Sequence, residues 1–147
     1  MAAQKILIRG GTLIDGNGGP PLGDGALLIA GERILAVGPR RDVERGLELG
    51  DPELKIIEAE GKTVLPGLID SHCHINSGEP ETAEELDLYT PMEYRAIRAV
   101  WNAQKVLRAG VTSICDPGST GLVSVAVRDA IEAGMFEGPR VTAGGRY

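Results

Sequence analysis

Val64-Leu65-Pro66-Gly67-Leu68-Ile69-Asp70-Ser71-His72-Cys73-His74 is an apolar run that ends in two histidines, the only two among 147 residues. On a β-strand, residues i and i+2 share a face. The run therefore predicts a strand from which Asp70, His72 and His74 project together while Ser71 and Cys73 point away. Two imidazoles side by side at a strand end suit one metal ion, and a catalytic zinc site takes three protein ligands. His72 and His74 are thus candidate metal ligands of a centre that other residues must complete, and Asp70 on the same face is a candidate for holding a ligand in place. Histidines two apart also occur as ordinary surface or core residues, so the surrounding sequence has to decide.

Toward the N-terminus, short strand patterns alternate with glycine-rich turns. Ile6-Leu7-Ile8 and Thr12-Leu13-Ile14 flank Gly10-Gly11, and residues 15–24 (DGNGGPPLGD) read as a loop. Residues 26–30 and 34–37 are two strands joined by Gly31-Glu32-Arg33, a hairpin connection. Residues 55–58 form another strand, and helix is expected only around 41–49. The prediction is a small, mostly antiparallel β-module over residues 1–62. The Gly-rich 15–19 segment is not a phosphate loop: it lies between strands, opens no helix and lacks the following Gly-Lys-Ser/Thr.

Toward the C-terminus the rhythm becomes strand, loop, helix, strand. Thr90, Pro91 and Glu93 read as N-cap, first helical position and capping-box partner of a helix. Ile97, Val100, Trp101, Gln104 and Leu107 form its mostly apolar face, and Gly110 ends it. Residues 111–115 are the next strand, 116–121 a loop, 122–133 a second helix closed by Gly134, and 140–142 a third strand. Asp116, at a strand end before Pro117-Gly118, could line a site, although turn initiation explains it equally well. A packed thiol is the favoured reading of Cys73 and of Cys115. Repeated βα units imply a parallel sheet, doubly wound or a (β/α)8 barrel, and such a barrel takes roughly 250 residues. Residues 63–147 would hold its first strands and helices, an incomplete barrel.

Composition narrows the function. A formal net charge of -6 and an aromatic content of 3% argue against a nucleic-acid surface. No window approaches the length of a membrane span. Two cysteines do not make a secreted disulfide framework, so a cytoplasmic location is expected.

Residues 6–16 (ILIRGGTLIDG), 26–38 (ALLIAGERILAVG), 64–74 (VLPGLIDSHCH), 109–118 (AGVTSICDPG) and 138–140 (GPR) together resemble the N-terminal part of the metal-dependent amidohydrolase superfamily, in its imidazolonepropionase-like and prolidase-like branch. The resemblance spans nearly the whole chain, with each element in the expected order. It implies an α/β protein: part of a composite β-sandwich followed by the first βα units of a (β/α)8 TIM-type barrel. His72 and His74 would be the first two ligands of one or two divalent ions, zinc foremost, at the C-terminal end of the first barrel strand. The implied reaction is hydrolysis of amide or cyclic-amide C–N bonds of a small molecule by metal-activated water. The remaining ligands and the acid/base group belong to later strands, so no catalytic residue is assigned in this chain. Asp70 and Asp116 stay candidates for supporting a ligand or lining the substrate space. The implied partners are the rest of the barrel, from the same precursor or a second chain, and further copies in a homo-oligomer. Two alternatives stand beside this reading: a metal-free, non-catalytic scaffold, and a deaminase or ester/carbamate hydrolase on the same framework.

Overall fold

The computed structural model describes residues 4–77, 82 and 84–146. They divide into two compact units, one up to Pro66 and one from Gly67.

The first unit is a five-stranded sheet. β1 (Lys5–Leu13), β2 (Leu22–Ala30), β3 (Arg33–Pro39) and β4 (Leu54–Glu58) lie in the order β3-β2-β1-β4, and β5 (Thr63–Val64) pairs with the end of β1. One expectation is corrected here. Gly10 and Gly11 do not break the chain into two strands. Gly10 takes φ +81° and the register shifts on either side of Gly11, so two bulges absorb the glycines within one continuous β1. The module is mostly antiparallel through β1–β2 and β2–β3, as expected, but β4 and β5 both run parallel to β1. The β2–β3 hairpin forms as expected, with Gly31 at φ +56°. Helix in the 41–49 region is confined to the single turn α1 (Arg40–Val43).

Strand alternation gives this sheet two apolar faces. Leu7, Ala26, Leu28 and Leu54 are buried on one of them together with Val43 and Leu47. The opposite face carries the cross-strand row Val37–Leu27–Ile8–Ile57. That face is open: Ile34 is 64% and Val37 52% exposed.

An ion network ties β1 to α1 and β4. Arg9 donates to Glu44 Oε1 at 2.9 Å and to Glu58 Oε1 at 2.6 Å, and Arg40 donates to the same Glu44 oxygen at 2.9 Å. The hydrogen bond from Arg9 holds the Glu58 carboxyl below its ordinary range. A carboxyl depressed in the folded state stabilises above its unfolded pKa, about 4.3 for Glu, and the benefit disappears as pH falls through the folded value. Arg9→Met is therefore expected to lower the melting temperature at pH 7, by a margin that shrinks as the pH falls below the unfolded carboxylate range, about 4.3. A difference that stays constant as the pH is lowered would assign the effect to packing of the Arg9 side chain instead.

The second unit is a three-stranded parallel sheet, β6 (Leu68–Asp70), β7 (Val111–Asp116) and β8 (Arg140–Ala143), ordered β6-β7-β8. α2 (Met92–Arg108) links the first pair and α3 (Val123–Glu132) the second. Their apolar residues Ala99, Ala103, Val123 and Val127 share one core with Ile75, Ile114 and Val141. Gly110 and Gly134, at φ +91° and +71°, follow the two helix ends as expected.

Two details of α2 differ from the sequence reading. The capping box does not form: the Thr90 hydroxyl donates to the Glu85 carbonyl at 2.6 Å, and the helix start has no side-chain cap. The buried residues are Arg95, Ala99 and Ala103, and of the expected face Val100 packs against the core while Ile97 and Trp101 are 68% and 51% exposed. Small residues let the helix axis approach the sheet closely, so side-chain bulk misidentified the buried face. Among the described residues, no helix is long and apolar enough to cross a membrane.

Candidate metal centre

β6 stops at Asp70, four residues short of the expected strand end. The reason is local. Asp70 Oδ1 accepts the His72 backbone N–H at 3.0 Å, which closes a side-chain turn and bends the chain away from the strand. The segment still follows β7, since the Cys73 N–H donates to the Cys115 carbonyl at 2.9 Å. The turn, rather than the pleat of a strand, brings the histidines together. Their ring centroids are 5.3 Å apart, with the planes at 85°.

His74 is fixed from behind. Its Nδ1 lies 2.8 Å from the Gly118 carbonyl oxygen. A carbonyl only accepts, so Nδ1 carries the proton and the lone pair of the neutral ring falls on Nε2. Asp70 is exposed, and its carboxylate is engaged by the turn.

Asp116 is fully buried at the end of β7. Its Oδ1 accepts the Gly118 N–H at 3.1 Å, and its Oδ2 accepts the Ile75 N–H at 3.2 Å. Oδ1 also lies 3.6 Å from His74 Nδ1. Burial pushes the Asp116 carboxyl above its ordinary range, against the opposing pull of the two amides and His74. The structure thus places Asp116 beneath His74, with no surface of its own.

A second tier of contacts joins the loops after β6 and β7. Asn76 Nδ2 donates to Thr120 Oγ1 at 3.3 Å, and the buried Arg95 donates to the same oxygen at 2.9 Å. Arg95 also donates to the Thr90 carbonyl at 3.0 Å, and Asn102 to the Ile75 carbonyl at 2.8 Å. Among the described residues, Asn76 Oδ1 is buried with no hydrogen-bond partner. Sequence reading found His72, His74, Asp70 and Asp116 but missed Asn76, Arg95, Thr120 and the Gly118 carbonyl. Asp116-Pro117-Gly118 did signal a turn, yet no pattern in the chain announces a carbonyl acceptor or a buried arginine. The Cys73 thiol packs beside the second unit's core, and burial pushes its pKa up to about 11.

Two adjacent imidazoles, one with its tautomer set, are the right donors for a divalent cation. Among the described residues no group of three or more His, Cys, Asp or Glu side chains converges. The donor set therefore fits such a cation in kind, with two candidate ligands from this chain.

Comparison with known proteins shows the family. The amidohydrolase family model matches residues 63–146, and the chain belongs to that family. It is 36% identical over 80 residues to an imidazolonepropionase from Symbiobacterium thermophilum, an alignment covering 48% of this chain and 19% of the relative. It is also 36% identical over 74 residues to an adenine deaminase from Rubrobacter xylanophilus, covering 50% of this chain and 11% of that protein. Among solved structures, a Xaa-Pro dipeptidase with methionine bound in its active site superposes with a TM-score of 0.82 at 32% identity, covering 97% of this chain and 33% of that one. A molinate hydrolase gives 0.80 at 32% identity, covering 97% and 30%. The chain thus spans about a third of the solved structures it resembles and a smaller part of these curated relatives.

Proposed function

We propose that this chain is the N-terminal part of a metal-dependent hydrolase that cleaves amide or cyclic-amide C–N bonds in a small molecule. The observation that carries the reading is the His72–His74 pair just past the end of a parallel strand, with His74 Nδ1 bound to the Gly118 carbonyl. In parallel α/β sheets, and in barrels above all, ligands bind at the C-terminal strand ends. The family supports the same reaction class, and so do the dipeptidase and the deaminase, whose names both imply breaking a C–N bond.

The second unit reads as the opening of a (β/α)8 barrel. Its strands neighbour one another in chain order, all parallel, and both connecting helices contribute to one core. That is continuous single winding, which a barrel uses throughout and a doubly wound sheet reverses. The first unit reads as part of a composite sandwich, because its Val37–Leu27–Ile8–Ile57 face is apolar and open. The rest of both layers comes from the same precursor or from a second chain.

His72 and His74 would hold a divalent cation, zinc being the expected one. When bound, such an ion supplies Lewis acidity and lowers the pKa of water. The chain's own residues contribute orientation. Asp70 sets the turn that presents His72, and Gly118 fixes which nitrogen of His74 faces outward.

The test begins with an intact mass of the polypeptide expressed from its natural gene, followed by a panel of dipeptides, N-acyl amino acids, cyclic amides, esters and aminopurines. C–N hydrolysis is expected, lost on treatment with a chelator and restored by a divalent cation. Hydrolysis that survives complete metal removal would overturn the metal-dependent reading. A metal-free protein inert toward every substrate would favour the scaffold alternative, and turnover confined to aminopurines would favour a deaminase.

A further inference from the structure

We propose that Asp116 is the positioning residue of the site: its buried carboxylate ties the two loops that meet at His74 and so fixes which nitrogen that imidazole presents. The proposal rests on the metal-dependent reading above and deepens it. One carboxylate oxygen takes the N–H of Gly118, the residue whose carbonyl accepts the His74 proton, at 3.1 Å. The other takes the N–H of Ile75, the residue directly after His74, at 3.2 Å. The same carboxylate stands 3.6 Å from His74 Nδ1. A single fully buried side chain thus holds both ends of the His74–Gly118 hydrogen bond and places negative charge behind the ring.

Gly118 has no side chain, and the Asn76–Thr120 and Asn102–Ile75 contacts fix the loops without touching the imidazole. A buried carboxylate costs desolvation unless its oxygens are bonded. Asp116 meets that condition through two backbone amides, an arrangement that also prevents it from turning outward. Neutral histidine side chains in water favour the proton on Nε2, so holding the proton on Nδ1 needs a partner such as the one these loops create.

The experiment uses the full-length protein from its natural gene, stripped of metal, at a pH about two units above the ordinary imidazole range. Long-range 1H–15N spectra then report the tautomer of each histidine. His74 is expected with its proton on Nδ1. In Asp116→Asn, whose amide has one acceptor oxygen for two N–H groups, that signature is expected to give way to a mixture with the Nε2–H form. Zinc affinity, measured by competition with a chelator, is expected to fall roughly 10- to 100-fold, as for other groups that orient a metal-binding histidine. Asn102→Ala is the control: it removes a loop anchor that touches neither carboxylate nor imidazole, and is expected to lower the melting temperature with the tautomer unchanged. A wild-type His74 protonated on Nε2 would overturn the proposal, as would an Asp116→Asn protein that keeps the Nδ1–H signature. An Asp116→Asn chain that fails to fold would make the carboxylate a plain element of the fold and would also overturn it. The spectra need neither substrate nor turnover, so their failure is separate from failure of the hydrolase reading, which the substrate panel decides.

Discussion

His74→Ala in the full-length protein is expected to remove bound metal and to lower kcat/KM by about 10³-fold. That corresponds to roughly 4 kcal/mol of barrier, within the several kcal/mol of charge stabilisation a Lewis-acid cation supplies. His72→Ala should cost activity on a similar scale, because two ligands from one turn cannot substitute for each other. The two variants should part company in metal-free stability. The His74 ring bonds the Gly118 carbonyl, so its removal leaves that acceptor without its donor and costs about 1 kcal/mol. His72 is exposed, and among the described residues its hydrogen bond is donated by its backbone N–H, which alanine retains. Metal content per chain, kcat/KM and metal-free melting curves check all three points. A His74→Ala protein that keeps its metal and its rate would remove these histidines from the chemistry.

The histidine pair was legible because the chain has no other histidine and because the run before it is apolar and short. Its geometry was not legible, since the strand was expected to reach His74. The sequence holds an equally good turn signal in Asp70, which prevails once its carboxylate finds the His72 N–H. Punctuation by glycine was readable at Gly31, Gly110 and Gly134, where a positive φ ends or turns an element. It misled at Gly10-Gly11, where the same residue type sits in bulges inside one strand. The difference lies in what lies opposite. A Cβ on Gly11 would press on the Ala59 and Lys62 carbonyl oxygens at 3.0 Å, so this glycine permits a close approach rather than a turn. Parallel pairing of β4 with β1 was invisible for a related reason, as short apolar runs carry no mark of direction. Arg95 and Asn76 were passed over because sequence places arginine and asparagine at the surface by default, and only the folded loops supply their partners.

Gly144→Ala is expected to be among the most damaging small substitutions in the chain, and the reason lies beside the same site. The Gly144 N–H donates to the Asp116 carbonyl at 2.7 Å. A Cβ at Gly144 would overlap the backbone carbonyl group of Pro117. A side chain in the way could rotate aside; a backbone carbonyl cannot, so either β8 or the loop after β7 must move. Overpacking of this kind costs about 3 kcal/mol. The displaced segment would be Asp116-Pro117-Gly118, which carries both the buried carboxylate and the carbonyl that receives the His74 proton. Loss of stability and loss of metal affinity should therefore appear together. Gly145 provides the contrast. It takes φ +85°, but a Cβ there would meet nothing within 4 Å. Gly145→Ala should cost roughly 1 kcal/mol of backbone strain and leave metal affinity near the wild-type value. Urea midpoints and chelator-competition titrations of the two variants separate the cases. If Gly144→Ala melts with the wild type, or loses stability while binding metal normally, the backbone contact at Pro117 does not hold the site in register. If the two effects arrive together, close packing of two backbones sets the position of His74 as firmly as its hydrogen bonds do.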